Sequence, residues 1–324
     1  MEGMPETPSV LVIGGPTASG KTGLALALAE KCHGVIINAD SLQLYKDLPI
    51  LTARPTPEEA ARAPHRLFGV LGPSETCSAA RWRALATQEI RQALDDGKRP
   101  VLVGGTGFYL LALMQGMSPV PDVPEEVRAR LALDTAGMDG RAIHDLLAGR
   151  DPVMAARLVR GDRQRCLRAL EVLAHTGQSL AVFQDMPREG APEGLTFEVV
   201  VLDPSRDVLY ARCDSRFDLM MKAGAVDEVA ALLASGVSED ASVFRALGAR
   251  QIADGLAGRM PMEEAVRDAK ADTRHYAKRQ ATWFRHQLEA GNAIRNVTRL
   301  AVPEEGLALK HLDDLPIWSL ERSF

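Results

Sequence analysis

Apolar residues gather in short unbroken runs in the first third of the chain, at Val10 to Ile13, Val35 to Asn38 and Pro100 to Val103. Each run gives way to a turn signal and then to a helical spacing. Runs without polar alternation are strands buried on both faces, and strands that alternate with helices build a parallel sheet. From about Pro119 to Gly190 the strand pattern stops. Asp151-Pro152 places a cap ahead of a proline and Asp162 opens a periodic run that closes at Gly177, so this stretch predicts helices alone. Thr196-Phe197-Glu198-Val199-Val200-Val201-Leu202 predicts a strand returning to the sheet, and a helical pattern continues to about Glu289. The expected layout is an α/β core in residues 1–118, a helical insertion in 119–190, a return to the core with C-terminal helices in 191–290, and a tail, 291–324, to which the pattern assigns no element.

The first strand runs into Gly15-Pro16-Thr17-Ala18-Ser19-Gly20-Lys21-Thr22 and then into the helical Leu24-Ala25-Leu26-Ala27-Leu28. Strand, glycine-rich loop and helix in this order make a phosphate site. Glycines let backbone N–H groups turn inward around an anion, the helix N-terminus adds its dipole, Lys21 supplies a charge and the Thr22 hydroxyl can hold a metal ion. A plain turn explains neither Lys21 nor Thr22 at its offset. The fold class expected from this loop is α/β: a P-loop NTPase-like parallel sheet flanked by helices, with an all-helical insertion domain. In such sheets ligands sit at the carboxyl ends of the strands, which gathers Asp40-Ser41 and Gly104-Gly105-Thr106-Gly107 around the loop.

Position gives Asp40 three readings: an outer-sphere metal partner, a general base for an incoming nucleophile, or a cap for a following helix. Thr106 offers a hydroxyl to a phosphate or substrate, and the glycines beside it allow close backbone approach. The strand before Thr106 ends without the carboxylate that many nucleotide hydrolases carry there, which argues against hydrolysis. Arg216 lies among Asp214 and Asp218, and a surface ion pair with one of them is its local reading.

Composition narrows the class without naming it. With 46% hydrophobic and 25% charged residues the chain is neither disordered nor fibrous. No stretch is long and apolar enough to span a bilayer and the N-terminus has no signal core, so no membrane and a cytoplasmic location are the expectation. The cysteines form no CxxC pair and the histidines no HExxH, so structural zinc and disulfides are not expected. A net charge of −5 argues weakly against nucleic acid, yet two segments depart from it. In the first, Arg157, Arg160, Arg163, Arg165 and Arg168 stand against Asp162; on a helix Gln164, Arg165 and Arg168 share a face opposite Leu167, Leu170 and Leu173. In the second, Arg267, Arg274, Lys278, Thr282 and Arg285 form one stripe, with Val266, Tyr276, Ala277, Trp283 and Phe284 opposite. Either alone reads equally as a solvated face. Together in an acidic chain they point to RNA.

These motifs occur in one order: the phosphate loop, Asp40-Ser41-Leu42-Gln43-Leu44-Tyr45, Ala63-Pro64-His65-Arg66-Leu67, Leu102-Val103-Gly104-Gly105-Thr106-Gly107, the run from Arg165 to Val172, and the run from Thr273 to Arg285. In this the sequence resembles the bacterial tRNA dimethylallyltransferases, which prenylate an adenosine beside the anticodon, from about residue 9 to about 290. The resemblance implies that the loop holds the diphosphate of dimethylallyl diphosphate, although such loops are generally labelled ATP sites. It implies that Asp40 takes the proton of the adenine amine, that Thr106 touches the substrate near the reaction centre, and that Lys21, Arg216 and Mg²⁺, held by Thr22, stabilise the departing diphosphate. The family's tRNA contacts map onto Asp40, Ser41, Leu42 and Gln43; onto Gln164, Arg165, Cys166, Leu167 and Arg168; onto Arg245, Ala246, Leu247, Gly248, Ala249 and Arg250; and onto Arg274, Lys278, Arg279, Gln280, Thr282, Trp283 and Arg285. A monomer is expected. The chain departs from the family pattern at Ile50-Leu51-Thr52-Ala53-Arg54-Pro55, where Ile-Gly-Thr-Ala-Lys-Pro is usual, and at Gly248-Ala249-Arg250, where Gly-Tyr-Arg is frequent. A prenyltransferase of free adenine nucleotides and a small-molecule kinase share the first hundred residues' logic but leave the cationic stripes without a purpose.

Overall fold

The computed structural model describes residues 8–291 and 293–303. In chain order its first elements are β1 (Ser9–Gly14), α1 (Lys21–Lys31), β2 (Gly34–Asn38), α2 (Pro57–Arg62), β3 (His65–Arg66), α3 (Ala79–Asp95), β4 (Arg99–Gly104) and α4 (Gly107–Gln115). Five helices follow: α5 (Glu125–Asp134), α6 (Gly140–Arg150), α7 (Pro152–Arg157), α8 (Arg163–Thr176) and α9 (Leu180–Gln184). The chain then gives β5 (Thr196–Pro204), α10 (Arg206–Lys222), α11 (Ala225–Ala234), α12 (Ala249–Leu256), α13 (Met262–Gln287) and β6 (Ile294–Val302).

The strands form one parallel sheet in the order β3-β2-β4-β1-β5-β6. The apolar runs are its centre: every residue of β1 and β2 is buried, and Leu11 lies between Val101 of β4 and Glu198 of β5. Ile13, Leu24, Leu28, Ile36, Val101 and Leu202 pack in one apolar cluster that joins α1 to the sheet. This is the α/β fold the runs predict, with the phosphate loop at the carboxyl end of its central strand.

Two strands were not predicted. β6 falls in the tail to which the sequence pattern assigns no element; the rest of that tail, 304–324, lies outside the described residues. Paired only to β5, β6 is an edge strand whose residues Arg295, Asn296 and Arg299 are not buried, so it lacks the apolar run that marks an interior strand. The two-residue β3 sits on the opposite edge.

Residues 115–191 form one compact unit, and the remaining described residues form the other. The first contains α5 to α9 around Ile143, Leu147, Met154, Cys166, Leu170 and Phe183. Its helix starts follow the caps in the sequence: Asp151 accepts from Met154 N–H ahead of Pro152, and Asp162 accepts from Arg165 N–H, with Gly177 closing α8 at φ 70°.

Candidate active site

The loop between β1 and α1 is shaped by what its glycines permit. Gly15 has φ 143°, and a Cβ there would stand 2.7 Å from the Leu202 carbonyl oxygen of the neighbouring strand. Gly20, at φ 96°, is the N-cap of α1 and gives it no side-chain acceptor, so the donors of the first helical turn are left for an anion. Lys21 Nζ donates to the Pro16 carbonyl 2.5 Å away and so curls back along the loop. Burial pulls its pKa from 10.5 down to about 8, against the opposing pull of Asp40, while Arg216 adds to the depression. A desolvated ammonium among backbone donors is prepared for a polyphosphate.

This loop opens on a cavity of about 490 Å³ lined by Thr17 to Gly23 and, across from it, by Asp40, Gln43, His65, Arg212 and Arg216. A smaller recess shares Thr17, Ala18, Asp40, Thr52 and Arg216 and adds the apolar side chains of Leu42, Leu51, Phe217, Met220 and Leu247 beside Thr273 and Tyr276. Asp40 therefore stands where the two cavities meet.

Asp40 is held rigidly at the end of β2. The buried Asn38 side chain accepts from Asp40 N–H at 2.8 Å and donates to the Asp40 and Leu67 carbonyls at 2.9 and 3.0 Å. Asp40 Oδ1 accepts from Leu42 N–H at 3.0 Å, and turns rather than a helix follow, so the helix-cap reading is set aside. Thr106 acts from the end of β4: its Oγ1 accepts from Ser41 N–H at 2.9 Å and lies 3.3 Å from Ser41 Oγ. A side chain at Gly104 would collide with the Ala39 backbone, which shows how closely the two strand ends approach.

The local reading of Arg216 is corrected. Asp214 pairs with Arg274 at 2.6 Å and Asp218 with Lys270 at 2.6 Å, both on α13. Arg216 lines both cavities instead, and burial lowers its pKa against the pull of Cys213 and Asp40. Arg212, one helical turn earlier and absent from the sequence-based set, also lines the larger cavity and donates to the Pro303 carbonyl at 2.9 Å. The four-residue spacing of Arg212 and Arg216 on one helix was the available signal.

Several residues mapped to tRNA contact have structural duties. Gln280 is buried; its Oε1 accepts from Thr17 N–H and its Nε2 donates to the Gly105 carbonyl, both at 2.8 Å, so it ties the phosphate loop to the turn after β4. Substituting Gln280 by leucine leaves both partners unsatisfied. It is expected to lower stability by about 1–3 kcal/mol and to weaken diphosphate binding, as measured by urea unfolding and by titration with diphosphate; unchanged values in both would contradict the bridge. Cys166 is buried in the helical unit, and Ala246, Gly248 and Ala249 are buried in the larger one, so these positions serve packing. Leu247 lines the small recess. Arg285 pairs with Asp203 at 2.8 Å, and Arg274 belongs to the α10–α13 contact already described.

Gln43 Nε2 donates to the Thr52 and Ala53 carbonyls and Leu167 packs against the core of the helical unit, whereas other mapped residues are accessible. On α13 a groove is lined by His275, Lys278, Arg279, Thr282, Trp283, His286 and Gln287. On α8, Gln164 and Arg165 are exposed, with Arg165 3.5 Å from Asp162 and Arg168 3.3 Å from Glu171. Such surface pairs contribute little and open readily to a stronger anion. Arg245 and Arg250 are exposed at the ends of their segment. Among the described residues no helix is long and apolar enough to cross a membrane.

A phosphate loop at the centre of a parallel sheet, with two arginines from a neighbouring helix and a fixed carboxylate facing the same cavity, marks a P-loop protein of the group-transferring class. The chain matches the family profile described as IPP transferase over residues 43–287 and that described as isopentenyl transferase over residues 8–73. It is 52% identical over 284 residues to the tRNA dimethylallyltransferase of Paramagnetospirillum magneticum, covering 88% of this chain and 90% of that one. To the enzyme of the same name from Rhodospirillum centenum it is 51% identical, covering 89% and 91%. The full-length tRNA isopentenylpyrophosphate transferase from Bacillus halodurans superposes with a TM-score of 0.67 at 32% identity over 98% of both chains. A eukaryotic dimethylallyltransferase solved acting on tRNA gives 0.71 at 27% identity, over 86% of this chain and 70% of that one. The chain belongs to the IPP transferase family of tRNA dimethylallyltransferases.

Proposed function

We propose that the chain transfers the dimethylallyl group of dimethylallyl diphosphate to the exocyclic amine of the adenosine 3′-adjacent to the anticodon of tRNA, releasing diphosphate. The observation that carries this reading is the position of Asp40, which lines both the cavity opened by the phosphate loop and the recess that adds Leu42, Leu51, Phe217, Met220 and Leu247. A prenyl diphosphate joins an anionic head to a short apolar chain, and its reacting carbon is their junction.

In the transfer the amine nitrogen forms a bond to the first allyl carbon while that carbon's bond to oxygen breaks, and the electron pair leaves on the diphosphate. The nitrogen gives its proton to the Asp40 carboxylate. Negative charge gathers on the leaving oxygens, and the loop N–H groups, Lys21 and Arg216 are donors placed for it before the reaction begins. Arg212 adds a further charge. Thr106 holds the backbone of the Asp40 turn through Ser41 N–H, and Leu42 N–H orients the carboxylate itself.

The site suits Mg²⁺ in the manner of phosphate enzymes. Thr22 and Asp40 supply hard oxygen donors to the cavity, and among the described residues no three His, Cys, Asp or Glu side chains gather as a cage, so a bound ion would take its other ligands from the diphosphate and water. Thr22 would hold it, and its charge would further offset that of the leaving group.

The RNA would lie on the exposed face of α13, the adenosine being extruded because a stacked amine cannot reach a recessed carbon. Reversing both Lys278 and Arg279 to glutamate is expected to weaken tRNA binding at least tenfold and to reduce its salt slope by about 1 per lost phosphate contact, with donor binding unchanged. Arg274 is unsuited to this test because of its bond to Asp214. An unchanged salt slope would make the α13 face a solvated surface only. The reaction as a whole is tested by offering labelled donor and Mg²⁺ with tRNA, AMP or ATP in separate tubes. Label on tRNA alone is expected; label on AMP would indicate a free-nucleotide prenyltransferase, and ATP consumption without transfer a kinase.

A further inference from the structure

Helix α4 turns nearly every side chain inward: Tyr109, Leu110, Leu111, Ala112, Leu113 and Met114 are all buried. Phe108, in its first turn, is 56% exposed and is the only aromatic among the described large apolar residues left in solvent. Single apolar side chains are common on protein surfaces, and Leu133, Val159 and Leu219 are more exposed still; what sets Phe108 apart is that it is aromatic and stands beside the turn that holds Asp40.

Its neighbours indicate a partner. Phe108 stands two residues after Thr106, whose hydroxyl holds the Asp40 turn, and directly after Gly107, against which the Trp283 ring packs so closely that a side chain there would collide with it. Trp283 in turn lines the α13 groove beside Lys278, Arg279 and His275. Aromatic rings interleaved with cations, beginning at the catalytic turn, are the composition of a surface that stacks single-stranded bases while tracking their phosphates. A base drawn out of its stack also leaves bare the faces of the bases on either side. We propose that Phe108 is a stacking platform for the nucleotide next to the extruded adenosine, an inference that rests on the tRNA reading above. Phe108 thereby helps hold the loop open while the amine is in the site.

The test uses the full chain and a tRNA carrying 2-aminopurine beside the target adenosine, whose fluorescence falls on stacking. Phe108→Ala is expected to weaken tRNA binding about five- to a hundredfold and to abolish the fluorescence change. Donor affinity, thermal melting and the salt slope should stay as in the parent, because stacking releases no counterions. Phe108→Trp should restore both binding and quenching. Parent-like binding and quenching in Phe108→Ala would overturn the stacking role while leaving the tRNA reading intact. Loss of donor affinity or of the folded state in Phe108→Ala, without rescue by tryptophan, would overturn it by making Phe108 a packing residue. Failure of the parent protein itself to bind the tRNA would remove the underlying reading instead.

Discussion

Substitution of Asp40 by alanine is expected to lower kcat by about 10²–10⁴-fold, the range associated with a positioned general base, with tRNA affinity retained. Asparagine makes the sharper comparison. Its side-chain carbonyl can still accept the Leu42 N–H that Asp40 Oδ1 accepts at 3.0 Å, and the Asn38 bonds to the backbone are untouched, so the turn keeps its shape. What Asp40→Asn removes is the negative charge, and with it both the ability to take a proton and a carboxylate partner for Mg²⁺. Turnover as low as in the alanine variant, and not recovered by raising Mg²⁺, identifies the carboxylate as the base. Turnover near the parent's would mean that Asp40 only orients the amine, and rapid quench under single-turnover conditions separates the two outcomes from product release.

Lys21→Met is expected to reduce kcat/KM for the donor by about 10²–10³-fold, the cost of removing one preorganised donor from developing charge. The same residue sets a pH dependence. Burial lowers its pKa to about 8, so it is an ammonium below that value and neutral above, and donor affinity should fall as pH rises through 8 in the parent but not in the variant. Folding stability of the free protein moves the other way. Because the folded pKa is depressed from 10.5 to about 8, the unfolded chain binds more protons between those values and stability rises with pH across that window. Below pH 8 the parent carries the full penalty of a desolvated charge, on the order of 3 kcal/mol, which Lys21→Met relieves. A variant that melts higher at pH 7 yet binds donor poorly is the expected signature; a parent whose donor affinity is flat from pH 7 to 9 would contradict it.

The parts of this site that the sequence disclosed are those encoded locally. The loop from Gly15 to Thr22 is contiguous, and the strand that leads into it is apolar throughout because both its faces are buried. Asp40 and Thr106 were placed by the rule that strand ends gather, and the Ser41–Thr106 bond realises it across 65 residues. Contacts at long range left no such trace. Gln280 reads in sequence as one more polar residue of a cationic helix, yet its partner Thr17 lies 263 positions away and the pair is buried. Arg216 has aspartates two residues to either side, and only the packing of α10 on α13 shows that Arg274 and Lys270 claim them. The departure at Gly248-Ala249-Arg250 also has a plain reading, since Ala249 is fully buried and its side chain packs rather than projects. β6 escaped because an edge strand with polar residues along it has no hydrophobic period to detect.

A phosphate loop of the kind usually associated with nucleoside triphosphates is here proposed to present a prenyl diphosphate to an adenosine in tRNA. This is tested most directly by reacting the purified protein with dimethylallyl diphosphate, Mg²⁺ and unmodified tRNA, digesting the tRNA to nucleosides and to anticodon-loop fragments, and reading both by mass. The predicted result is an adenosine heavier by one dimethylallyl unit at its exocyclic amine, confined to the fragment just 3′ of the anticodon, with one diphosphate released for each adenosine modified. Unmodified tRNA from a protein that binds both substrates, or a prenyl group found on free nucleotide in its place, would contradict the account.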